Sequence, residues 1–204
     1  MAQQTPALLT EVTDSIAILR FNRPAERNPL SRATLHELKT ALSALLPRDD
    51  VKALIFTGTD DVFLSGANIR ELSELDSTSA LEFSQFGQDI FQTIADAKQL
   101  TIAAINGYCM GGGLDLALAC DIRVASESAV FSHPGARLGV ITGWGGTQRL
   151  PRIINRGPAL EMLLTARQLT SREALTLGLI AELSINQVQT AMRIVHNSRE
   201  REPS

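Results

Sequence analysis

Two short stretches hold residues whose types and spacing can do chemistry. The first is Asn106-Gly107-Tyr108-Cys109-Met110-Gly111-Gly112-Gly113-Leu114-Asp115. An apolar, strand-like run at 101–105 leads into it, and a helix-like run at 114–120 leads out. Three glycines at such a junction let a ligand come close to the backbone, because no Cβ stands in the way. The helix start presents unpaired N–H groups that favour negative charge. Asp115 follows within one turn, so the segment combines a means of stabilising an anion with a carboxylate that can move a proton. The second stretch is Phe63-Leu64-Ser65-Gly66-Ala67-Asn68-Ile69-Arg70-Glu71, another small-residue loop feeding a short helix. Two loops that each offer one N–H to the same oxygen make an oxyanion hole. Other glycine-loop chemistries are excluded by spacing. No G-x-G-x-x-G follows the first strand, no G-x-x-x-x-G-K-[ST] is present, and Ser65-Gly66 lacks the first glycine of a nucleophile elbow.

The elements that must position these loops follow from periodicity. Residues 8–11 and 16–21 read as two strands around a turn at Thr13-Asp14-Ser15. Ser31 is placed to cap a helix running to about Leu46, with Leu35, Leu38, Leu42 and Leu45 as its buried stripe. Residues 51–57 form a nearly all-apolar strand, as in a sheet covered on both faces, and a loop from 58 to 68 follows. A second long helix spans 80–98, with Leu81, Phe86, Ile90, Phe91 and Ile94 on its apolar side. Residues 101–105, 121–125 and 129–132 are further strands. A glycine-rich turn at 143–146 precedes a helix from Thr147, and short helices fit 158–165 and 171–177. Residues 187–197 read as helical and 198–204 as a frayed end. Strands alternating with helices predict an α/β fold with right-handed crossovers. No repeat of 20–50 residues stands out by eye.

Composition narrows the class. The 204 residues fit one domain, and 44% apolar with 20% charged residues describes a globular chain. A net charge of −3 with scattered Lys and Arg gives no nucleic-acid surface. No apolar run approaches the roughly 20 residues that span a bilayer, and Met1-Ala-Gln-Gln-Thr5 lacks the start of a signal peptide. Cys109 and Cys120 have no metal-type spacing and read as reduced, which points to the cytoplasm.

Taken in order, these segments resemble the crotonase, or enoyl-CoA hydratase/isomerase, superfamily from about residue 8 to residue 183. The resemblance is carried by Asn22-Arg23-Pro24, Arg27-Asn28-Pro29-Leu30, Ser65-Gly66-Ala67-Asn68-Ile69, Asn106-Gly107 through Gly113, Ala119-Cys120-Asp121-Ile122 and Gly145-Gly146-Thr147-Gln148-Arg149-Leu150. Leu169-Thr-Ser-Arg-Glu-Ala174 and Gly178-Leu179-Ile180 extend it. It implies a spiral of repeated ββα units over 1–183, with a short helical tail at 184–204 that is truncated relative to the family. It also implies an acyl-CoA thioester substrate whose carbonyl is polarised by the N–H groups of Ala67 and Gly112. Coenzyme A is then part of the substrate, and no metal or redox cofactor is required. By the same resemblance Ala25, Glu26, Arg27, Ser65, Asn68 and Ile69 line the CoA site, Asn68 standing where most relatives carry Asp. Trp144 shapes the acyl pocket, and the assembly is a homotrimer or hexamer.

The resemblance breaks at the carboxylates. A hydratase of this family uses two glutamates. Asp115 occupies the first position and Gly135, without a side chain, the second. His133, two residues upstream, is a candidate replacement base, on the same side as Gly135 if the segment is extended. Tyr108 is expected in the core, Asp121 in a structural hydrogen bond, and His36 and His196 at the surface. Three readings stay open. One is enoyl-CoA hydration with Asp115 as the surviving acid/base. The second is another reaction on the same hole, namely isomerisation, decarboxylation or thioester hydrolysis. The third is a non-catalytic acyl-CoA-binding subunit.

Overall fold

The computed structural model describes residues 6–199; residues 1–5, read above for a signal peptide, and 200–204 of the expected frayed end lie outside the described residues. The first hairpin pairs β1 (Leu8–Thr13) with β2 (Ile16–Phe21), Thr13 opposite Ile16. Its two turn residues, Asp14 and Ser15, have φ of 48° and 64°. Two left-handed residues give the tight turn whose twist matches that of the strands. A six-stranded sheet continues through β4 (Ala53–Thr57), β7 (Leu100–Ile105), β9 (Ile122–Ala125) and β12 (Glu182–Leu183), in the order β1-β2-β4-β7-β9-β12. All its pairings beyond β1–β2 are parallel.

Alternation along the central strands divides their side chains between two cores. Leu19, Leu54, Phe56, Ala103 and Ile105 join the main core. Ile16, Ile18, Ile55, Ile102 and Ala104 face the other way, where Ala191 and Val195 of α9 (Gln187–Arg199) cover them. The near-continuous apolar character of these strands follows from burial on both faces.

The expected α1 (Arg32–Leu45) is present with Ser31 Oγ accepting from the Thr34 N–H at 3.1 Å, and Leu35, Leu38, Leu42 and Leu45 are buried. The second long helix, α3 (Ser77–Ala95), starts three residues earlier than expected, because Asp76 and Ser79 form a reciprocal capping box. Its buried face is Phe83, Gly87, Ile90, Phe91 and Ile94, whereas Leu81 is exposed. Two residues from Phe83 is about 200° around a helix, which turns Leu81 to the opposite side.

The strand expected at 129–132 is present as β10 (Val130–Ser132). With the short strands β5 (Val62–Leu64), β8 (Tyr108–Met110) and β11 (Leu169–Thr170), which fall outside the expected strands, it makes a second, four-stranded sheet in the order β11-β10-β8-β5. β3 (Pro29–Leu30) pairs with β6 (Gly66–Ala67). The successive pairs β4–β5, β7–β8 and β9–β10 each place one strand in either sheet. α3 follows the first pair, α4 (Gly112–Ala119) the second and α5 (Gly135–Leu138) the third. The spiral of ββα units is thus a repeat of topology without a repeat of sequence. The remaining helices are α2 (Ile69–Ser73), α6 (Gly146–Ile153), α7 (Arg156–Thr165) and α8 (Ser171–Thr176).

Arg123 locks the far end of α4. Its guanidinium donates to the carbonyls of Cys120 (2.7 Å), Leu179 (2.7 Å) and Ala117 (3.3 Å). A cation on the terminal carbonyls of a helix is favourable for both hydrogen bonding and the helix dipole. Asp121 has the structural role expected of it, its Oδ2 accepting from the N–H and hydroxyl of Thr101, both at 2.8 Å.

Candidate active site

The two small-residue loops meet. β6 and the start of α4 lie side by side, and Gly66, at φ +97°, makes the approach possible. A Cβ on Gly66 would stand 2.9 Å from the Met110 carbonyl and 3.0 Å from the Gly112 nitrogen, contacts no real side chain makes. A Cβ on Gly112 would lie 3.6 Å from the Ala67 nitrogen. The N–H groups of Ala67 and Gly112 therefore sit close together, and that of Gly112, in the first turn of α4, has no intrahelical acceptor. Both residues border a cavity of about 380 Å³, together with Ser65, Ile69, His133, Gly135, Thr142 and Trp144. Leu72, Leu75, Phe83 and Ile141 make the rest of this wall largely apolar.

Trp144 is wedged into the cavity wall. Its Nε1 donates to the Phe83 carbonyl at 3.3 Å, and its ring meets Phe83 and Phe91 edge-on. The ring fits only because α3 and α4 present glycines to it: a Cβ on Gly87 would be 2.5 Å from its Cε2, and one on Gly112 2.5 Å from its Cε3.

Asp115 is completely buried and does not border the cavity. The Thr142 hydroxyl donates to Asp115 Oδ2 in a short hydrogen bond. Oδ1 faces His133, with Nε2 at 3.6 Å. Burial raises the Asp115 carboxyl to about 7, against the Thr142 hydroxyl, the backbone N–H groups of Trp144 and Gly146 and the charge of Arg149, which all favour ionisation. Burial alone lowers His133 to about 4, so the imidazole is neutral at pH 7. Neither of its ring nitrogens, nor Asp115 Oδ1, has a hydrogen-bond partner among the described residues, and all three are buried.

A family model for enoyl-CoA hydratase/isomerase matches residues 11–200. The chain belongs to this enoyl-CoA hydratase/isomerase family. It is 40% identical to a crotonyl-CoA hydratase of Syntrophomonas wolfei over 174 residues, covering 85% of this chain and 67% of that protein. It is 34% identical to a short-chain-enoyl-CoA hydratase of Clostridium acetobutylicum over 198 residues, 94% of this chain and 76% of that one. The crystal structure of an enoyl-CoA hydratase from Bacillus anthracis superposes with a TM-score of 0.89 at 31% identity, over 94% of this chain and 76% of the other.

Within this family member the segment after β10 is not extended as the strand-alternation reading required. Pro134, at φ −73° and ψ 1°, turns the chain, and α5 begins at Gly135. His133 and Gly135 both border the cavity, but through this turn and not through strand alternation. Gly135 is more than a residue without a side chain. A Cβ there would run into the Val140 carbonyl, and the Val140 N–H donates to the Gly135 carbonyl at 3.1 Å. The loop has closed over the space that a side chain at 135 would need.

The remaining residues expected at the CoA site lie outside the cavity. Ala25, Glu26 and Arg27 are exposed, in and just after one 3₁₀ turn, and the Ser65 N–H donates to the Arg27 carbonyl at 3.2 Å. Asn68 caps α2, its Oδ1 accepting from the Arg70 N–H at 3.0 Å. Tyr108 is exposed at the surface, where Arg27 stands 5.9 Å from the centre of its ring, and is not a core residue. His36 and His196 are exposed as expected. Three contributors escaped the sequence reading. Asn28 Nδ2 donates to the Val62 carbonyl at 2.9 Å, while its Oδ1 accepts from the Arg23 N–H. Asn106 Oδ1 accepts from the Gly58 N–H at 2.9 Å. Both asparagines pin the loops around β5, and both stood inside the motifs quoted above. Thr142 carries no such signal, being one hydroxyl in a loop.

Proposed function

We propose that this family member hydrates short 2-enoyl-CoA thioesters. The thioester oxygen is held between the N–H groups of Ala67 and Gly112, and Asp115 takes part in the proton transfers. The observation that supports this reading best is the proximity of the Ala67 and Gly112 nitrogens at the wall of a largely apolar cavity. Negative charge grows on the thioester oxygen as water adds to the β carbon. Two preorganised donors stabilise that enolate more than the ground state, each worth about 3 kcal/mol in comparable sites. The names of the related hydratases point the same way. Coenzyme A enters as part of the substrate, and no cofactor has a role in this chemistry. A homotrimer or hexamer, acting in the cytoplasm, completes the proposal. Free, buried Cys109 and Cys120 are compatible with a reducing compartment, and light scattering tests the assembly. No described helix is long and apolar enough to cross a membrane.

The test is loss of the enoyl absorbance of crotonyl-CoA, with calorimetric titration of acetyl-CoA and a longer acyl-CoA alongside. Turnover supports hydration, and absence of both turnover and binding refutes the reading. One observation favours a second reading: among the described residues, no carboxylate borders the cavity. Isomerisation, decarboxylation or thioester hydrolysis on the same hole would then replace hydration, or the chain would only bind acyl-CoA. Turnover of 3-enoyl, malonyl-type or β-diketone thioesters without hydration of crotonyl-CoA would select the enzymatic alternative. Binding with silence across the panel would select the binding subunit.

A further inference from the structure

We propose that His133 is the residue that exchanges protons with the substrate and that Asp115 serves it from behind, the two acting as one acid–base unit in place of two carboxylates. The proposal rests on the enoyl-CoA reading above. Among the described residues that border the cavity, His133 is the only titratable side chain. Asp115 lies behind His133 and does not border the cavity. One imidazole nitrogen, Nε2, faces Asp115 Oδ1 at 3.6 Å, and the other, Nδ1, is buried in the wall without a hydrogen-bond partner among the described residues, so a substrate water reaches it only as the ring shifts toward the cavity. Catalytic hydrogen bonds are often this long before substrate closes the site. Thr142 fixes the carboxyl from its other oxygen.

A second feature keeps the pair together. Gly146, the first residue of α6, packs directly on it: a Cβ there would stand 2.9 Å from His133 Nε2 and closer still to Asp115 Oδ1. Any larger residue would push the two groups apart. The loop closed over Gly135 leaves no room for a side chain at that point of the same wall. Arg149 of α6 favours the charge of Asp115, and burial together with Asp115 holds the Cys109 thiol of β8 protonated.

The chemistry balances with this single unit. The reactive state has Asp115 ionised, the proton on Nε2 and a lone pair on Nδ1. As the water oxygen bonds to the β carbon, its O–H bond breaks and that proton passes to Nδ1. The Nε2 proton passes to Asp115, and the alkene pair moves onto the thioester oxygen between Ala67 and Gly112. In the second step Nδ1–H protonates the α carbon, the enolate pair forms that C–H bond, and Asp115 returns its proton to Nε2. One water is added and the unit is restored.

The experiment combines kinetics and NMR on the full chain. His133→Gln is expected to lower kcat for crotonyl-CoA hydration by about 10²–10³-fold, with KM and the calorimetric affinity for acetyl-CoA unchanged. Asp115→Asn is expected to lower kcat and to abolish its fall on the acid side of neutrality. In the wild type, the ring nitrogens of ¹⁵N-labelled His133 should exchange tautomer as Asp115 titrates, from Nδ1–H at lower pH to Nε2–H at higher pH. Asp115→Asn should freeze that exchange. Wild-type turnover with His133→Gln within twofold at every pH overturns this proposal alone. A wild type that neither binds acetyl-CoA nor hydrates crotonyl-CoA overturns the enoyl-CoA reading, and the substrate step with it. If His133→Gln does not fold, wild-type NMR decides, and an unchanging tautomer across neutrality overturns the coupled pair.

Discussion

A methyl group at Gly112 probes the hole and its aromatic buttress together. Gly112 is the first residue of α4 and does not have a positive φ, so alanine meets no backbone strain there. The new Cβ would stand 2.5 Å from Trp144 Cε3. Carbon atoms in contact sit at about 3.5–4.0 Å, so the overlap is roughly 1 Å. The indole has nowhere to retreat. Gly87 already abuts its far side, Phe83 and Phe91 hold its edges, and Nε1 is bonded to the Phe83 carbonyl. Relief must come from moving α4 and its N–H away from Ala67. Overpacking of this kind costs about 1–3 kcal/mol, which for a domain of this size lowers Tm by roughly 2–12 °C. Displacing a catalytic donor by about 1 Å costs on the order of 100-fold in rate. Gly112→Ala should therefore lose both stability and kcat for crotonyl-CoA, measured by thermal melting and by enoyl absorbance. Trp144→Ala in the same chain removes the clash, so the double variant should be more stable than the sum of the single losses by about that overpacking cost. Additivity within about 0.5 kcal/mol, or a Gly112→Ala enzyme with wild-type kcat, would refute the reasoning.

The buried pair predicts opposite pH dependences in two variants. Asp115, at about 7 against an ordinary 3.8, favours folding at low pH, and that contribution is lost as pH rises through 7. His133, at about 4 against 6.5, favours folding above 6.5, and that contribution is lost as pH falls through 4. The two slopes oppose each other between roughly pH 4 and 6.5 in the wild type. Relative to it, His133→Gln should lose about 1.4 kcal/mol per unit as pH rises through that window, and Asp115→Asn should gain as much, by urea melts. Parallel profiles for all three proteins would contradict the assigned shifts. Trp144→Ala should cost about 3–5 kcal/mol of stability, like other large-to-small core changes, and should move the kcat/KM optimum toward longer acyl chains; an unchanged chain-length profile would remove Trp144 from specificity. Arg123→Met should lower stability by roughly 3 kcal/mol, because it strands the Leu179 and Cys120 carbonyls, which now accept from a charged donor, and leaves that of Ala117 with only the Cys120 N–H. Acetyl-CoA affinity should survive at temperatures where that variant is folded, and its selective loss would show that Arg123 acts on the site directly.

Much of the frame is determined by the sequence alone, for a local reason. The stripe Leu35, Leu38, Leu42 and Leu45, the cap at Ser31 and the all-apolar run that became β4 are each set by neighbours a few residues apart. Gly66 and Gly112 were legible because only a residue without Cβ permits backbones to approach so closely. Tertiary structure alone decided the rest. Apart from β10, which the sequence shows, the strands of the second sheet are two or three residues long, too short for any periodicity, and exist only because partners far away in sequence complete their ladders. Gly135 was legible as a position without a carboxylate, but only the packing of α4 decided that Asp115 is buried off the cavity, and only the turn at Pro134 that the loop closes over Gly135. Asp115 was recognisable as a carboxylate near the glycine turn. Its burial, its Thr142 partner and its contact with His133 depend on α4, the end of β10 and the start of α6 meeting at one point, and no local pattern encodes that meeting.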